Sequence, residues 1–265
     1  PPDNDKGCFM LRTLTLGACA ALCSSAALAQ LPDPLERALS VSLNDPVAQR
    51  VDVMVGDNDG QITVRIQEDA DGASHYTLLS PSEAGLNESE REMWEEMFLS
   101  DEDASEEDEE DGFGGEDFDA EDLRRIIGSE ATLLREEDGL LIYGFTPQAF
   151  PDDEDEPDGA ARRMLDAMTG EVSVNAQTGH VAGFQMILRE SVKPNFAARI
   201  EDFRFVQSYV FDEVVNGPRL ESLRFNIAGS AAFQSFDESM SVDILDVQWA
   251  TPSAGGAVVD AAESH

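Results

Sequence analysis

The chain has 265 residues, of which 55 are acidic and 17 are lysine or arginine, so its formal net charge is -38. Nucleic acids and anionic membrane surfaces are bound through lysine and arginine, and this composition therefore argues against both as partners. Hydrophobic residues make up 42% of the chain, which is enough for the buried core of a globular protein.

The first recognisable pattern is that of an export signal. It begins at Met10, carries a positive charge at Arg12 and continues through the small and apolar residues 13–21. The tripeptide Ala27-Leu28-Ala29 has the small-x-small form of a cleavage site, which predicts a new N-terminus at Gln30. The apolar run is too short to cross a bilayer. We therefore predict an N-terminal extension and cleavable signal over residues 1–29, and a periplasmic or secreted protein without an integral membrane span.

All three cysteines lie before this predicted cleavage site, at Cys8, Cys19 and Cys23. The exported chain is therefore expected to contain neither a disulfide nor thiol chemistry. The alternative is a lipoprotein signal, in which Leu16-Gly17-Ala18 precedes a lipidated Cys19.

The exported part opens with a short helix over residues 33–39 and continues with three predicted strands. Valines alternate over residues 51–55, apolar and polar residues alternate over 61–67, and residues 75–79 form a third short strand. Turn sequences at residues 56–60 and 71–72 separate them, which predicts a β-meander.

A helix is predicted to follow, capped by Asn87 or Ser89 and ending near Leu99. Ser89 and Glu92 have the spacing of a capping box. The helix has one apolar face, which we expect to cover part of a sheet, formed by Met93, Trp94, Met97 and Phe98.

Two acidic tracts interrupt the chain, at residues 101–122 and 152–158. The first holds 14 acids in 22 residues and no base, and the second adds 6 more acids. Charge repulsion and low hydrophobicity predict disordered inserts. Residues 30–253 are expected to form one domain around them, and residues 254–265 a flexible tail.

From residue 169 onward the alternation is typical of antiparallel strands with one apolar face. Ala182, Phe184, Met186 and Leu188 are expected to share a face, and a later strand is expected to run on to Phe233. This face is rich in aromatic rings for a chain that is 7% aromatic. They are either core beneath covering helices or the lining of an apolar cavity, and we take as candidate ligand-binding residues Phe184, Phe203, Phe205, Tyr209, Phe211, Phe225 and Phe233.

Catalytic and metal motifs are missing from the sequence. The histidines His75, His180 and His265 have neither metal-ligand spacing nor a nucleophile motif beside them. The turns at residues 57–60 and 69–72 contain Asp and Gly but lack the first and last ligands of a calcium loop. We therefore predict no catalytic residue, no metal site and no cofactor, and a hydrolase would have to depend on His75 or His180.

Two stretches read as successive strands around one sheet. They are residues 61–79, whose hairpins end in "SHYTLLSP", and residues 170–233, which contain "GEVSVNAQTGHVAGFQMIL", "KPNFAARIEDFRF" and "GSAAF". This architecture resembles the periplasmic outer-membrane lipoprotein carrier and sorting superfamily. The resemblance implies an α+β fold in which a curved, half-barrel-like antiparallel sheet carries a few covering helices, and it implies lipid or acyl-chain binding. The acidic inserts depart from that pattern.

Two functions from different classes follow as hypotheses. In the first, an exported non-enzymatic protein binds a lipid or acyl chain on the apolar face of its sheet. In the second, an acidic protein of the cell envelope uses its tracts to bind a basic protein partner or divalent cations, and the sheet is only a scaffold. The acidity also fits a saline habitat, in which surface carboxylates maintain solubility.

Overall fold

The computed structural model describes residues 31–44, 48–69, 72–99, 120–150, 159–195, 197–232 and 234–250. The predicted signal peptide with its cleavage residues Ala27, Ala29 and Gln30, the alternative lipidation site Cys19, the second acidic tract and the tail lie outside these residues. The first acidic tract lies outside them as far as residue 119. Its last three residues open a helix, so the predicted disordered insert extends too far at that end.

The regular structure of the described part consists of four α-helices, one 3-10 helix (Glu83–Gly85) and ten strands. The helices are α1 (Asp33–Ala38), α2 (Glu88–Phe98), α3 (Ala120–Ile127) and α4 (Gly159–Ala167). The strands are β1 (Ala48–Gly56), β2 (Gln61–Glu68), β3 (Ser74–Ser80), β4 (Thr132–Glu137), β5 (Leu140–Phe145), β6 (Met168–Asn175), β7 (Val181–Leu188), β8 (Ala198–Asp212), β9 (Gly217–Ala231) and β10 (Gln234–Trp249).

All ten strands belong to one antiparallel sheet, in the order β3-β2-β1-β10-β9-β8-β7-β6-β5-β4. Strands that follow one another in the chain are neighbours, except β3 and β4, which are the two edges. The first and last strands pair in the interior of the sheet. The predicted sheet-dominated antiparallel fold is confirmed, and the described sheet is not closed.

The hairpin turns follow from local side-chain chemistry. Between β1 and β2, the carboxylate of Asp57 accepts hydrogen bonds from the backbone amides of Asp59 and Gly60, at 2.8 and 2.7 Å. Between β4 and β5, Asp138 and Gly139 have φ angles of 50° and 82°. Asp-Gly is the pair preferred at such positive angles in a two-residue hairpin. The β4–β5 hairpin was not among the predicted strands.

Helix α2 begins as predicted, but with a different capping box. The side chain of Asn87 accepts a hydrogen bond from the Glu90 amide, and the Glu90 side chain accepts one from the Asn87 amide. Ser89 instead donates to Asp57, at 2.6 Å, and so joins the helix to the first hairpin. Trp94 is buried, whereas Met97 is 47% exposed, so the apolar face of the helix is narrower than expected.

A bulge and an early turn change two of the expected faces. The β6–β7 register shifts after Ser173, so that Val181 occupies the buried position expected for Ala182. Strand β9 ends at Ala231, and Ala232 adopts a φ of 48°. The strand expected to continue to Phe233 therefore turns back before it.

The described helices lie on one face of the sheet, over two separate regions. Helices α1 and α4 lie against β6, and α3 packs into the same hydrophobic cluster, which extends over β5–β9. Helix α2 lies against β2, and its cluster holds apolar side chains of β1, β2 and β10. The core thus has two parts, one beneath α1, α3 and α4 and the other beneath α2.

Substitution of Gly170 provides a test of how tightly the larger cluster is packed. A Cβ atom at this position would collide with the ring of Phe145 on the neighbouring strand. We expect Gly170→Ala to lower the free energy of unfolding by about 1–3 kcal/mol, as overpacking does in other cores. Chemical denaturation measures the change.

The double variant with Phe145→Leu should lose less stability than the sum of the two single variants, because the smaller side chain makes room for the new methyl group. Gly159→Ala, at the open start of α4, serves as the control and should leave stability unchanged or raised. Additive losses in the double variant would contradict the packing assigned to Gly170.

Asp52 makes the unfolding free energy depend on pH. Arg65 donates two hydrogen bonds to its carboxylate, both at 2.7 Å, and they hold the pKa of Asp52 below its usual value despite an opposing effect of burial. A lowered pKa stabilises the fold above the unfolded-state pKa, and this contribution disappears as the pH falls below about 4. Asp52→Asn should therefore lower the melting temperature at pH 7 and weaken its dependence on acid, whereas an equal shift at every pH would argue against the ion pair.

Candidate functional site

The three longest strands, β8, β9 and β10, lie side by side in the sheet, with 15, 15 and 16 residues. Phe205 is paired with Phe225, and Phe225 with Met240. Paired residues on neighbouring strands point to the same side of a sheet. We call the apolar patch on the helix-bearing side of these strands the central face, and it consists of Phe205, Leu223, Phe225, Ile227, Phe236 and Met240.

The central face lies between the two helix-covered regions. Its first five residues are partly buried and border the larger cluster, and Met240 is 38% exposed. Leu223 also touches the smaller cluster under α2. The patch is therefore continuous with both parts of the core but remains in contact with solvent.

The seven rings predicted to bind a ligand fall into separate environments. Three of them, Phe184, Phe203 and Tyr209, are only 2–7% exposed and belong to the helix-covered core. Phe211 is exposed at the end of β8, and Phe233 lies outside the described residues. Only Phe205 and Phe225 lie on the central face.

Two series of aromatic contacts lead from the covered core to the central face. In one, Phe184 lies between Phe145 and Phe205, with ring centroids 5.7 and 6.2 Å apart. In the other, Phe203 lies between Phe150 and Phe225, at 6.2 and 5.7 Å. Edge-to-face and offset contacts at these distances stabilise aromatic pairs. Each of the two rings on the central face therefore packs against a buried ring of a neighbouring strand.

A polar pair lies beside the central face. Gln207 is paired with Phe184 on one side and with Leu223 on the other, so its amide lies within an apolar row. The buried Tyr209 donates its hydroxyl to Gln207 Oε1, at 2.8 Å. The sequence pattern did not indicate this pair, because alternation marks positions on a strand but does not show which polar side chain faces an apolar patch.

The segment between α1 and β1 passes the β8–β9 turn. The backbone amide and the side-chain amide of Asn44 donate to the carbonyls of Val215 and Val214, at 2.9 and 2.7 Å. Leu43 packs where Gly217 would otherwise carry a Cβ. These contacts connect α1 to the end of the central strands.

The two described histidines lie apart from the central face. His75 is exposed and contacts Asp69, at 3.1 Å. His180 stacks on Phe211 with ring centroids 4.6 Å apart, and its buried Nδ1 has no hydrogen-bond partner among the described residues. Among the described residues, no serine hydroxyl is hydrogen-bonded to the imidazole ring of His75 or His180. This arrangement provides no nucleophile–base pair.

Carboxylates are abundant, but the described ones are not gathered into a metal site. Within the described ranges, no three His, Cys, Asp or Glu side chains are placed to hold a metal ion. Both oxygens of Asp57 accept hydrogen bonds from protein groups, which is the role of a structural turn residue.

Comparisons with protein-family models, curated proteins and solved structures find no match. Across the described residues, no helix combines the length and hydropathy needed to cross a membrane.

Much of the larger cluster comes from elements that were not predicted from the sequence pattern. Helices α3 and α4 cover it with residues such as Leu123 and Leu165, and strand β5 contributes Tyr143 from the sheet. The apolar spacing of Leu123, Ile126 and Ile127 was the available signal for α3. These three apolar residues follow directly after the acidic tract, and the last three residues of the tract form the start of α3.

His180 gives a pH-dependent prediction. Burial lowers its pKa, so the unfolded chain binds the proton more readily than the folded chain. Stability should therefore decrease as the pH falls from about 7.5 to 5. The variant His180→Phe retains a ring against Phe211 and should lose less melting temperature over this interval, whereas the exposed-site control His75→Gln should not reduce the loss. Equal acid sensitivity of His180→Phe and the wild type would contradict this role.

Proposed function

We propose that this protein is an exported, non-enzymatic carrier that binds an acyl chain or lipid on its central face. The observation that carries the proposal is the incomplete cover of the apolar side of the sheet. Phe205 and Phe225 stay partly exposed, although Phe203 and Tyr209, on the same strand as Phe205, are buried. Binding sites for small apolar molecules combine such a surface with few polar groups.

The spacing of the helices supports this assignment. The strands beneath them, β2 and β6, are six strand-to-strand steps apart, which is roughly 29 Å along the sheet at about 4.8 Å per step. A helix with its side chains is about 10–12 Å wide. Helices over β2 and β6 are therefore too narrow to cover all the strands between them, and the partly exposed central face lies on those strands.

Curvature of the sheet would turn the central face into the floor of a groove. Strands in a sheet twist relative to one another, and ten twisted strands curl readily. In our proposal the sheet curves towards its helix-bearing side and brings α2 closer to α1, α3 and α4. An acyl chain would then lie along the central strands between the two sets of helices.

The burial of apolar area would provide the binding energy. Burying a fully exposed ring side chain contributes about 1.5–3 kcal/mol, and a partly buried one contributes less. The central face offers six neighbouring apolar side chains, of which five are partly buried. Tyr209 and Gln207 would supply the few polar contacts. This part of the proposal needs no metal, cofactor or nucleophile.

The acyl-chain proposal predicts that polar substitution of the central face reduces binding. Phe225→Ser should weaken uptake of a fatty acyl probe at least about tenfold, because a ring that contacts the chain is lost. Native mass spectrometry of the detergent-free protein and displacement of a fluorescent apolar dye would measure the change.

Phe211→Ser is the matched control, because this ring lies at the exposed end of β8 outside the central face. It should bind as the wild type does. Equal binding by Phe225→Ser and the wild type, with both variants folded, would place the site elsewhere. Deletion of residues 101–119 should leave acyl binding intact, and loss of acyl binding in that variant would contradict a site on the central face. The acidic-tract hypothesis instead predicts that this deletion abolishes capture of a basic partner.

A further inference from the structure

Gln207 is the polar side chain that the register places beside the central face. On β8 it follows Phe205 by two residues, so the two side chains lie on the same side of the sheet, about 7 Å apart along the strand. Its paired neighbours are Phe184, in the covered core, and Leu223, on the central face. An acyl chain on this face would therefore lie next to one side-chain amide.

The hydrogen bond from Tyr209 determines which part of that amide is available. The phenol hydroxyl donates to Gln207 Oε1, and Tyr209 is itself 7% exposed and held in the core. Among the described residues, Tyr209 is the only one bonded to the Gln207 side chain. This hydrogen bond fixes the orientation of the amide, and the Nε2 hydrogens remain to be donated. A donor within an apolar row favours a ligand that brings an acceptor.

Charge restricts the kind of acceptor. The chain as a whole carries a net charge of -38. This negative charge repels a carboxylate or phosphate that approaches the central face, and it does not repel a neutral carbonyl group.

We propose that Gln207 selects an amphiphile with an uncharged carbonyl group, an ester or an amide attached to a hydrocarbon chain, over a fatty-acid anion. The Nε2 amide donates to the ligand carbonyl, Tyr209 orients Gln207 through Oε1, and the net negative charge of the chain disfavours anionic head groups. This inference rests on the proposed function and adds the class of ligand and a specificity-determining residue.

The experiment compares three probes with the same eighteen-carbon chain type: the neutral ester glycerol monooleate, the anion oleate and the hydrocarbon octadecene. Each displaces an apolar dye from the full-length protein, at submicellar concentration and a pH at which oleate is ionised. The wild type should bind the ester at least about threefold more tightly than either of the others, as expected for one additional hydrogen bond without charge repulsion.

Two variants of Gln207 separate specificity from a structural effect. Gln207→Glu keeps an acceptor for Tyr209 but removes the donor, and Gln207→Leu removes both. Each should weaken ester binding by about three- to tenfold while octadecene binding by the Leu variant stays unchanged. Gln177→Glu, in the exposed turn between β6 and β7, adds the same charge away from the face and should bind as the wild type does.

The outcomes distinguish the two proposals. If the wild-type protein takes up none of the three probes, the proposed carrier function fails. If it takes up all of them but oleate equals or exceeds the ester, or the Gln207 variants lose ester and hydrocarbon binding equally, the carrier function stands and the role of Gln207 is overturned.

Discussion

The fold depends on the pairing of its first and last strands. Without the β1–β10 ladder, the N-terminal meander and the C-terminal strands would be two sheets, each with an additional open edge. On the helix-bearing side, Val55 is paired with Val242, and Val53 with Ile244. On the opposite side, Arg50 reaches Asp246 across the same ladder, at 2.5 Å. Apolar packing and a charged contact therefore join strands that are far apart in the chain.

The same ladder explains why the core has two parts. It places β1 and β2, with their cover α2, on one side of the long strands β8–β10, and β4–β7 on the other. Helices α1, α3 and α4 then bury the second part of the sheet. The central strands lie at the border of both clusters, and their apolar residues are correspondingly less buried. The candidate site is a consequence of where the two sets of helices lie, and the aromatic content of the strands alone does not account for it.

Six arginines on the described strands lie within 4.0 Å of a carboxylate. Arg65 holds Asp52 through two hydrogen bonds, and Arg135 holds Glu171 through two more, both at 3.0 Å. The pKa of Glu171 is lowered chiefly by the Arg135 hydrogen bonds. Paired carboxylates of this kind reduce repulsion across neighbouring strands. They leave the helix-bearing side of the sheet for apolar contacts.

The sequence by itself determined the local features of this protein. Alternating valines in β1 and β6 predicted strands with one buried face, Asn87 or Ser89 marked the start of α2, and Gly and Asp residues marked the hairpins. These signals are local, since a side chain's period and a turn's φ angles depend on neighbours in the chain. They also indicated an antiparallel sheet and an aromatic face. The hairpin β4–β5 carried the same kind of signal in Asp138-Gly139 and was overlooked.

Only the tertiary structure decided which aromatic residues are core and which are partly exposed. Phe184 and Phe205 have the same side-chain type and equivalent alternation, yet one is buried and the other borders solvent. The difference arises from where α1, α3 and α4 dock, and this depends on packing between segments distant in sequence. Likewise, the β1–β10 pairing and the bulges near Ser173 and Tyr209 set which side chains meet. Burial is a property of the assembled layers, so alternation within one strand cannot specify it.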